Sequence, residues 1–366
     1  MSVSSEKLRT PLCGLFGIEL PIVQTGMGWV AGARLAAATS EAGGLGVLAA
    51  ATMSLEMLES QIQEVKARTQ KPFGVNIRGD AADIEARVDL FIREGIKVVS
   101  FAGVPSKAAM KRLKEAGILT MPKVGAKRHA EKMLAWGADA IIAQGGEGGG
   151  HTGSVPTTCL LPAVVDAVGD KIPVLGAGGF SDGRGLVAAL AYGAQGVAMG
   201  TRFLLTQEST VPDSVKARYL ETGSMGTVVT SAVDGYPQRV IRTSFVDRLE
   251  RAGFIGGILA GLRHAWAFRS MTGTSFLELF REGMAMRARE NLSWPQVIMA
   301  ANAPMYTKAS MVDGDLNSGI LPTGQVVGCI DELPSVADLL NRIVSEAEGC
   351  LDQLNSVPTV AMRGEA

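Results

Sequence analysis

The chain has 366 residues, 47% of them hydrophobic and 5% aromatic, with a formal net charge of -1. That length suits one large α/β domain or two domains. The near-zero charge offers no bulk attraction to nucleic acid or an anionic membrane, and the low aromatic share argues against a stacking platform for single strands.

The 45 glycines follow no G-X-Y period, which excludes collagen. Cys13, Cys159, Cys329 and Cys350 are scattered, with no C-x-x-C pair to suggest zinc or iron–sulfur chemistry. No metal is therefore expected, and the thiols read as reduced. Glu6, Lys7 and Arg9 interrupt the start, which has no apolar core of signal-peptide length. The apolar stretch 254–262 is about half of the ~20 residues a membrane span needs. The expectation is a soluble, cytoplasmic protein with no membrane partner.

From residue 21 short apolar runs alternate with longer amphipathic segments. Strands are expected at 21–27, 45–51, 73–77, 98–103, 119–124, 140–145, 173–179 and 196–203. Helices are expected between them at 31–43, 54–69, 81–94, 105–117, 126–137, 157–169 and 183–194, with a further one at 213–222. Apolar strands alternating with helical patterns mean a parallel sheet with helical crossovers. Eight such units predict an α/β fold closed as a (β/α)8 TIM barrel. Ser54 and Ser181 stand at candidate N-caps, and Gly95, Gly117, Gly137 and Gly193 at helix ends.

The barrel pattern ends near residue 222. Residues 223–320 are rich in Gly, Arg and Met, with helical stretches near 245–269 and 275–290. A segment this long reads as a lid or small subdomain over the barrel mouth. Residues 321–356 then return to the barrel, with an amphipathic helix at 334–355, and the tail from 356 is expected to be loose.

A barrel of this kind places its active site at the C-terminal ends of its strands. The sixth ends in Gln144-Gly-Gly-Glu-Gly-Gly-Gly-His-Thr-Gly153. Gly149 and Gly150 let the backbone approach a flat ring or a phosphate, and His151 is suited to moving a proton near neutral pH. The alternative is a surface loop with an incidental histidine. Gly178 and Gly179 end the seventh strand, and Gly200 and Thr201 the eighth. Their N–H groups can converge on one phosphate, with the following helix start adding its dipole. Lys123, at the end of the fifth strand, could stabilise negative charge on a reduced ring. Asn76 and Gln144 can each donate and accept, as the edge of a flavin pyrimidine requires. His129 lies in a helix pattern and His264 in an Arg-rich helix, so both are weaker candidates.

The segment 144–153, with 176–185 (Gly-Ala-Gly-Gly-Phe-Ser-Asp-Gly-Arg-Gly) and 193–203 (Gly-Ala-Gln-Gly-Val-Ala-Met-Gly-Thr-Arg-Phe), resembles the nitronate monooxygenase family, once called 2-nitropropane dioxygenases. Its relatives include FMN-dependent enoyl-acyl-carrier-protein reductases. The resemblance covers about residues 8–222 and resumes at Gly314-Asp-Leu-Asn-Ser-Gly and Thr323-Gly-Gln-Val-Val-Gly328. It implies an FMN-bound TIM barrel with a lid. Gly26 and Met27 would line the flavin. Asn76, Lys123 and Gln144 would contact its ring or ribityl chain. Gly178, Gly179, Gly200 and Thr201 would hold the phosphate, and His151 takes the catalytic position.

The chain departs from the family in its long, Arg-rich 224–320 region (Arg239, Arg242, Arg248, Arg251, Arg263, Arg269). That argues against a small nitroalkane substrate, and in its general look the chain resembles the branch that acts on bulky CoA thioesters in sterol-ring degradation. The expected reaction passes a hydride between FMN and the Cα–Cβ bond of an acyl-CoA, with His151 as general acid or base. Arg242, Arg248 and Arg251 would meet the CoA phosphates, and NAD(P)H or NAD(P)+ would be co-substrate. The alternatives are nitronate oxidation with O2, where His151 could take the acidic proton of a nitroalkane, and an NADH:quinone reductase. A homodimer stays open, since these motifs do not encode oligomeric state.

Overall fold

The computed structural model describes residues 5–79, 81–272, 283–284, 287 and 294–356. A short helix α1 (Pro11–Phe16) precedes β1 (Ile22–Gln24). Helix and strand then alternate through α2 (Ala33–Glu41), β2 (Leu45–Ala49), α3 (Leu55–Arg68), β3 (Phe73–Arg78), α4 (Ile84–Glu94), β4 (Val98–Ala102), α5 (Lys107–Glu115), β5 (Leu119–Val124) and α6 (Lys127–Ala135). After β6 (Ile141–Gln144) a two-residue strand β7 (Gly150–His151) interrupts the rhythm. It resumes with α7 (Thr157–Val168), β8 (Val174–Ala177), α8 (Gly183–Ala191) and β9 (Gly196–Met199).

Of these nine strands all but β7 join one closed parallel barrel, which β9 completes by pairing Val197 with Ile22 and Ala198 with Val23. This is the (β/α)8 architecture. Alternate strand residues point inward. Val23, Val47, Val98, Met121, Ile142, Leu175 and Ala198 fill the interior, and Leu12 and Phe16 of α1 join them, so α1 packs into that interior. Thr10 Oγ1 anchors the start of α1 to the Gln195 carbonyl at 2.6 Å. The outward residues Ile22, Leu48, Val75, Val99, Ile141, Val174 and Val197 pack under the surrounding helices.

Ser54 caps α3, accepting from Met57 N at 3.3 Å. Gly95, Gly117, Gly137 and Gly193 adopt φ of 63°, 75°, 86° and 85°, the left-handed helix ends expected of glycine. The cap of α8 is Asp182 rather than Ser181, because the Asp182 carboxylate accepts from Gly185 N at 2.9 Å. The eighth barrel strand stops at Met199 instead of reaching 203. Gly200 breaks it, and Thr201–Leu204 form a helical turn, α9. A short apolar run has no periodicity to tell these two states apart.

After α10 (Asp213–Leu220) the chain forms an antiparallel hairpin, β10 (Thr227–Thr230) and β11 (Gln238–Ile241), before any long helix. The hairpin adds to β7 in the order β10-β11-β7, pairing Gln238 with His151 and Arg239 with Gly150. Helix α11 (Ser244–Thr272) contains the expected 245–269 stretch and is broken at Gly253, φ 60°. Then come α12 (Trp294–Met299), α13 (Asn302–Met311) and α14 (Val336–Asn355). Most of the expected 275–290 helix, and the tail beyond 356, lie outside the described residues. Helix α14 returns to the barrel against α8 so closely that a Cβ on Gly183 would sit 2.3 Å from Ala347 N. Among the described residues no helix is long and apolar enough to cross a membrane.

Candidate functional site

The glycine segment after β6 is a braced loop, not a loose one. Gly145 N donates to Ala177 O at 2.9 Å, Gly146 N to Val155 O at 2.8 Å and Gly148 N to Gly145 O at 3.1 Å. The Glu147 carboxylate accepts from Thr157 N at 2.9 Å and Thr157 Oγ1 at 2.7 Å, capping α7. Glycine is required at 145, where a Cβ would fall 2.0 Å from Thr157 Oγ1. Arg239, from β11, donates through Nη2 to the Gly146 carbonyl at 2.9 Å and through Nη1 to Thr227 Oγ1 at 3.1 Å. Gln144 Nε2 donates to the His151 carbonyl at 3.0 Å, so one expected flavin contact also holds the histidine backbone.

His151 keeps 54% of its side chain exposed. Its Nε2 lies 2.7 Å from Oδ2 of Asp234, whose side chain is only 4% exposed. The other Asp234 oxygen accepts from Tyr236 N at 3.2 Å. The Tyr236 ring stands edge-on to the imidazole, 5.8 Å between centroids. Gln238, directly opposite His151 in the sheet, is 3% exposed, and among the described residues its amide nitrogen has no hydrogen-bond acceptor. Sequence reasoning missed Asp234, Tyr236 and Gln238. Asp234-Gly235 is a local turn signal, and Gly235 has φ 88°, but nothing local joins that turn to His151.

The remaining expected residues form one rim at the strand ends. A Cβ on Gly26 would be 2.4 Å from Asn76 Cβ, so the loop after β1 packs on the end of β3 there. Asn76 Nδ2 donates to Ser100 Oγ at 2.9 Å. Met27 Sδ lies 3.5 Å from where a Gly200 Cβ would be. Gly149 packs on the 323–324 segment, where a Cβ would be 2.5 Å from the Thr323 carbonyl carbon. Gly324 N donates to Thr201 Oγ1 at 2.9 Å and Gln325 N to Glu147 O at 2.9 Å. The Thr323–Gln325 motif therefore ties the β9 end to the glycine loop. Lys123 pairs in register with Ile142 beside the β6 end. It is half-buried, and burial pushes its ammonium below the usual lysine value.

Gly178 and Gly179 have φ of 93° and 86°. Among the described residues their N–H groups have no protein acceptor. Consecutive N–H groups in such a turn form a nest for an anion, and these residues fit a phosphate. At the start of α8, Gly183 N donates to the Glu346 carboxylate at 2.9 Å and Gly185 N to Asp182 at 2.9 Å, so these two N–H groups already have acceptors.

The structure does not bring Arg242, Arg248 or Arg251 against His151 or the glycine loop. Arg242 pairs with Asp247 at 3.0 Å and Glu250 at 3.5 Å. Arg248 donates to Asn317 O at 2.7 Å, and Arg251 to Asp247 O at 3.1 Å. All three are exposed near the start of α11. His129 is exposed on α6, and the His264 side chain lies outside those described. Among the described residues no cluster of His, Cys, Asp and Glu could hold a metal, and the four cysteines are unpaired.

Comparison with known proteins places this rim in context. The family profile described as nitronate monooxygenase matches residues 9–87 and 80–346. A (3aS,4S,5R,7aS)-5-hydroxy-7a-methyl-1-oxo-octahydro-1H-indene-4-carboxyl-CoA dehydrogenase of Mycobacterium tuberculosis is 59% identical over 342 residues, 93% of this chain and 96% of that protein. The enzyme of the same name from Rhodococcus jostii is 55% identical over 350 residues, covering 96% and 99%. FabK from Thermotoga maritima superposes with a TM-score of 0.79 at 34% identity, covering 95% of this chain and 98% of that one. With the profile spanning nearly its whole length and His151 on a glycine-built barrel rim, the chain is an oxidoreductase of the nitronate monooxygenase family.

Proposed function

We propose that this protein is an FMN-dependent dehydrogenase of a bulky, ring-bearing acyl-CoA thioester. The observation that carries the reading is the 59% identity, along 93% of the chain, to an indene-carboxyl-CoA dehydrogenase. The site is compatible with that chemistry. Residues 1–222 would be the FMN-binding barrel, 223–320 the substrate lid and 321–356 the segment returning to the barrel.

Gly178 and Gly179 would hold the FMN phosphate, with Gly200 and Thr201 beside them. Gly26, Met27, Asn76, Lys123 and Gln144 would line the ring and ribityl chain, and Gly149 and Gly150 would let them approach. Bound FMN supplies hydride exchange with Cβ of the substrate. His151 removes the Cα proton as Cβ loses its hydride and the double bond forms, or returns that proton in the reverse direction. NAD(P)+ or NAD(P)H serves as the second redox partner. The exposed arginines Arg242, Arg248 and Arg251 meet the CoA phosphates.

The family match supports a second reading, oxidation of alkyl nitronates with O2. Mixing oxidised holoenzyme anaerobically with a saturated ring-bearing acyl-CoA, and separately with an alkyl nitronate, tests the two. The proposal expects flavin bleaching by the thioester, lost in His151→Ala by about 10²–10⁴-fold in rate with FMN retained. Rapid oxygen uptake with the nitronate, and no reaction in either direction with thioesters, would overturn it.

A further inference from the structure

The mechanism above assigns His151 a proton but gives no task to the buried carboxylate beside it. We propose that Asp234 is the positioning residue of His151. It accepts a hydrogen bond from Nε2–H, and so leaves Nδ1 as the atom that exchanges a proton with the substrate. This inference rests on the reading of His151 as the acid–base group.

Four observations support it. Nε2 and Asp234 Oδ2 are 2.7 Å apart, a charge-assisted hydrogen-bond distance. Asp234 is 3% exposed and, among the described residues, its carboxylate forms no ion pair with Lys or Arg that would draw it away from the imidazole. The aspartate is itself fixed: its second oxygen accepts from Tyr236 N at 3.2 Å, and Thr152 N donates to Pro237 O at 3.2 Å, docking this turn onto the histidine strand. The Tyr236 ring, edge-on at 84°, limits rotation of the imidazole.

The other charged groups of the packed elements are engaged elsewhere. Arg239 turns to Gly146 O and Thr227 Oγ1, and Glu147 to Thr157. A carboxylate that only accepts, held against one ring nitrogen, selects the tautomer carrying its proton there. When Nδ1 takes a proton from Cα, the same carboxylate stabilises the imidazolium that forms. Returning that proton completes the reverse reaction, so nothing beyond the proposed chemistry is consumed.

Asp234→Asn is the informative change. The amide oxygen can still accept from Tyr236 N and keep the turn, but its NH2 faces Nε2 and favours the opposite tautomer. The expected result is retained FMN, acyl-CoA KM within about twofold, and kcat lowered about 10²–10⁴-fold. NMR of protein labelled at the histidine ring nitrogens, with His151 assigned through His151→Gln, should show the proton moving from Nε2 to Nδ1. Asp234→Glu should recover part of the rate. In a His151→Ala background, Asp234→Asn should cost nothing further in kcat, as expected when one residue acts only through the other.

An unchanged tautomer, an unchanged kcat, or an additional loss in the His151→Ala background would each overturn the positioning role. If His151→Ala alone keeps full turnover, the acid–base reading fails instead. The NMR result then still reports whether Asp234 sets the ring. Should Asp234→Asn lose FMN, Asp234→Glu carries the same tautomer test, with the proton expected to stay on Nε2.

Discussion

Lys123 opposes stability, and its proposed flavin contact would give that cost a use. It stands half-buried at the end of β5, with no carboxylate partner among the described residues, and burial holds its pKa below the usual 10.5. Below the folded-state value the ammonium is charged both folded and unfolded, so folding carries its full desolvation cost. That cost fades as pH rises from the folded value toward 10.5, because the unfolded chain then binds the extra proton. FMN-free Lys123→Met should therefore melt above the FMN-free parent at neutral pH, with the gap closing at high pH. The same change should weaken FMN binding about tenfold or more, the worth of one charge-assisted contact. Thermal melts across pH and flavin titration measure both; a lower melting temperature for the variant would mean that the ammonium is satisfied inside the protein.

At the scale of elements, the arginines after the barrel divide into two groups. Arg239, on β11, is tied to the glycine loop, whereas Arg248 and Arg251, on α11, form no ion pair among the described residues: Arg248 donates to Asn317 O and Ser244 Oγ and lies over the Phe245 ring, and Arg251 donates to Asp247 O. Replacing Arg239 by alanine removes bonds that hold the Gly146 carbonyl. It should lower kcat for a CoA thioester and for a small nitronate alike, because it disturbs the loop that carries His151. The double variant Arg248→Ala, Arg251→Ala should raise KM for the CoA thioester about tenfold or more and spare a substrate without phosphates. Arg242 is the weaker candidate for a phosphate, because Asp247 and Glu250 already engage its guanidinium in exposed ion pairs. Steady-state kinetics with both substrates decides; a KM effect from Arg239→Ala confined to the thioester would reverse the assignment. Sequence grouped these arginines because all lie in one Arg-rich stretch. It could not separate them, since the hairpin that sets Arg239 apart is built from four-residue strands. Thr227–Thr230 is half-exposed and pairs indirectly with a two-residue strand that has no pattern of its own.

Across the whole molecule, what was legible depended on how far apart the interacting residues lie in the chain. The barrel could be read because each strand is a local apolar run, as in Val98–Ala102, and each helix has its own punctuation, as at Gly95 and Gly137. The glycine rim could be read because Gly149, Gly178 and Gly200 each follow such a run. The His151–Asp234 pair spans 83 positions, and no local pattern encodes that closure. The contacts of Thr323–Gln325 with Thr201 and Glu147 are equally non-local. With the bond from Gly145 N to Ala177 O, these contacts join the glycine loop to the β8 end and to the 323–325 segment as one cradle, which leads to a prediction about cofactor removal. A ligand that binds only the folded state stabilises it, by about 2.7 kcal/mol at a hundred times its Kd, and local opening reports where that stabilisation falls. Stripping FMN should speed amide exchange together at 145–153, 176–180 and 323–328. The interface of α8 with α14, formed by Gly183 and Ala347 on the outer face of the barrel, should hardly change. Exchange measured on holo- and apoprotein would show it. Acceleration confined to 145–153 would mean that the other two segments take no part in holding the flavin, and the shared cradle would have to be abandoned.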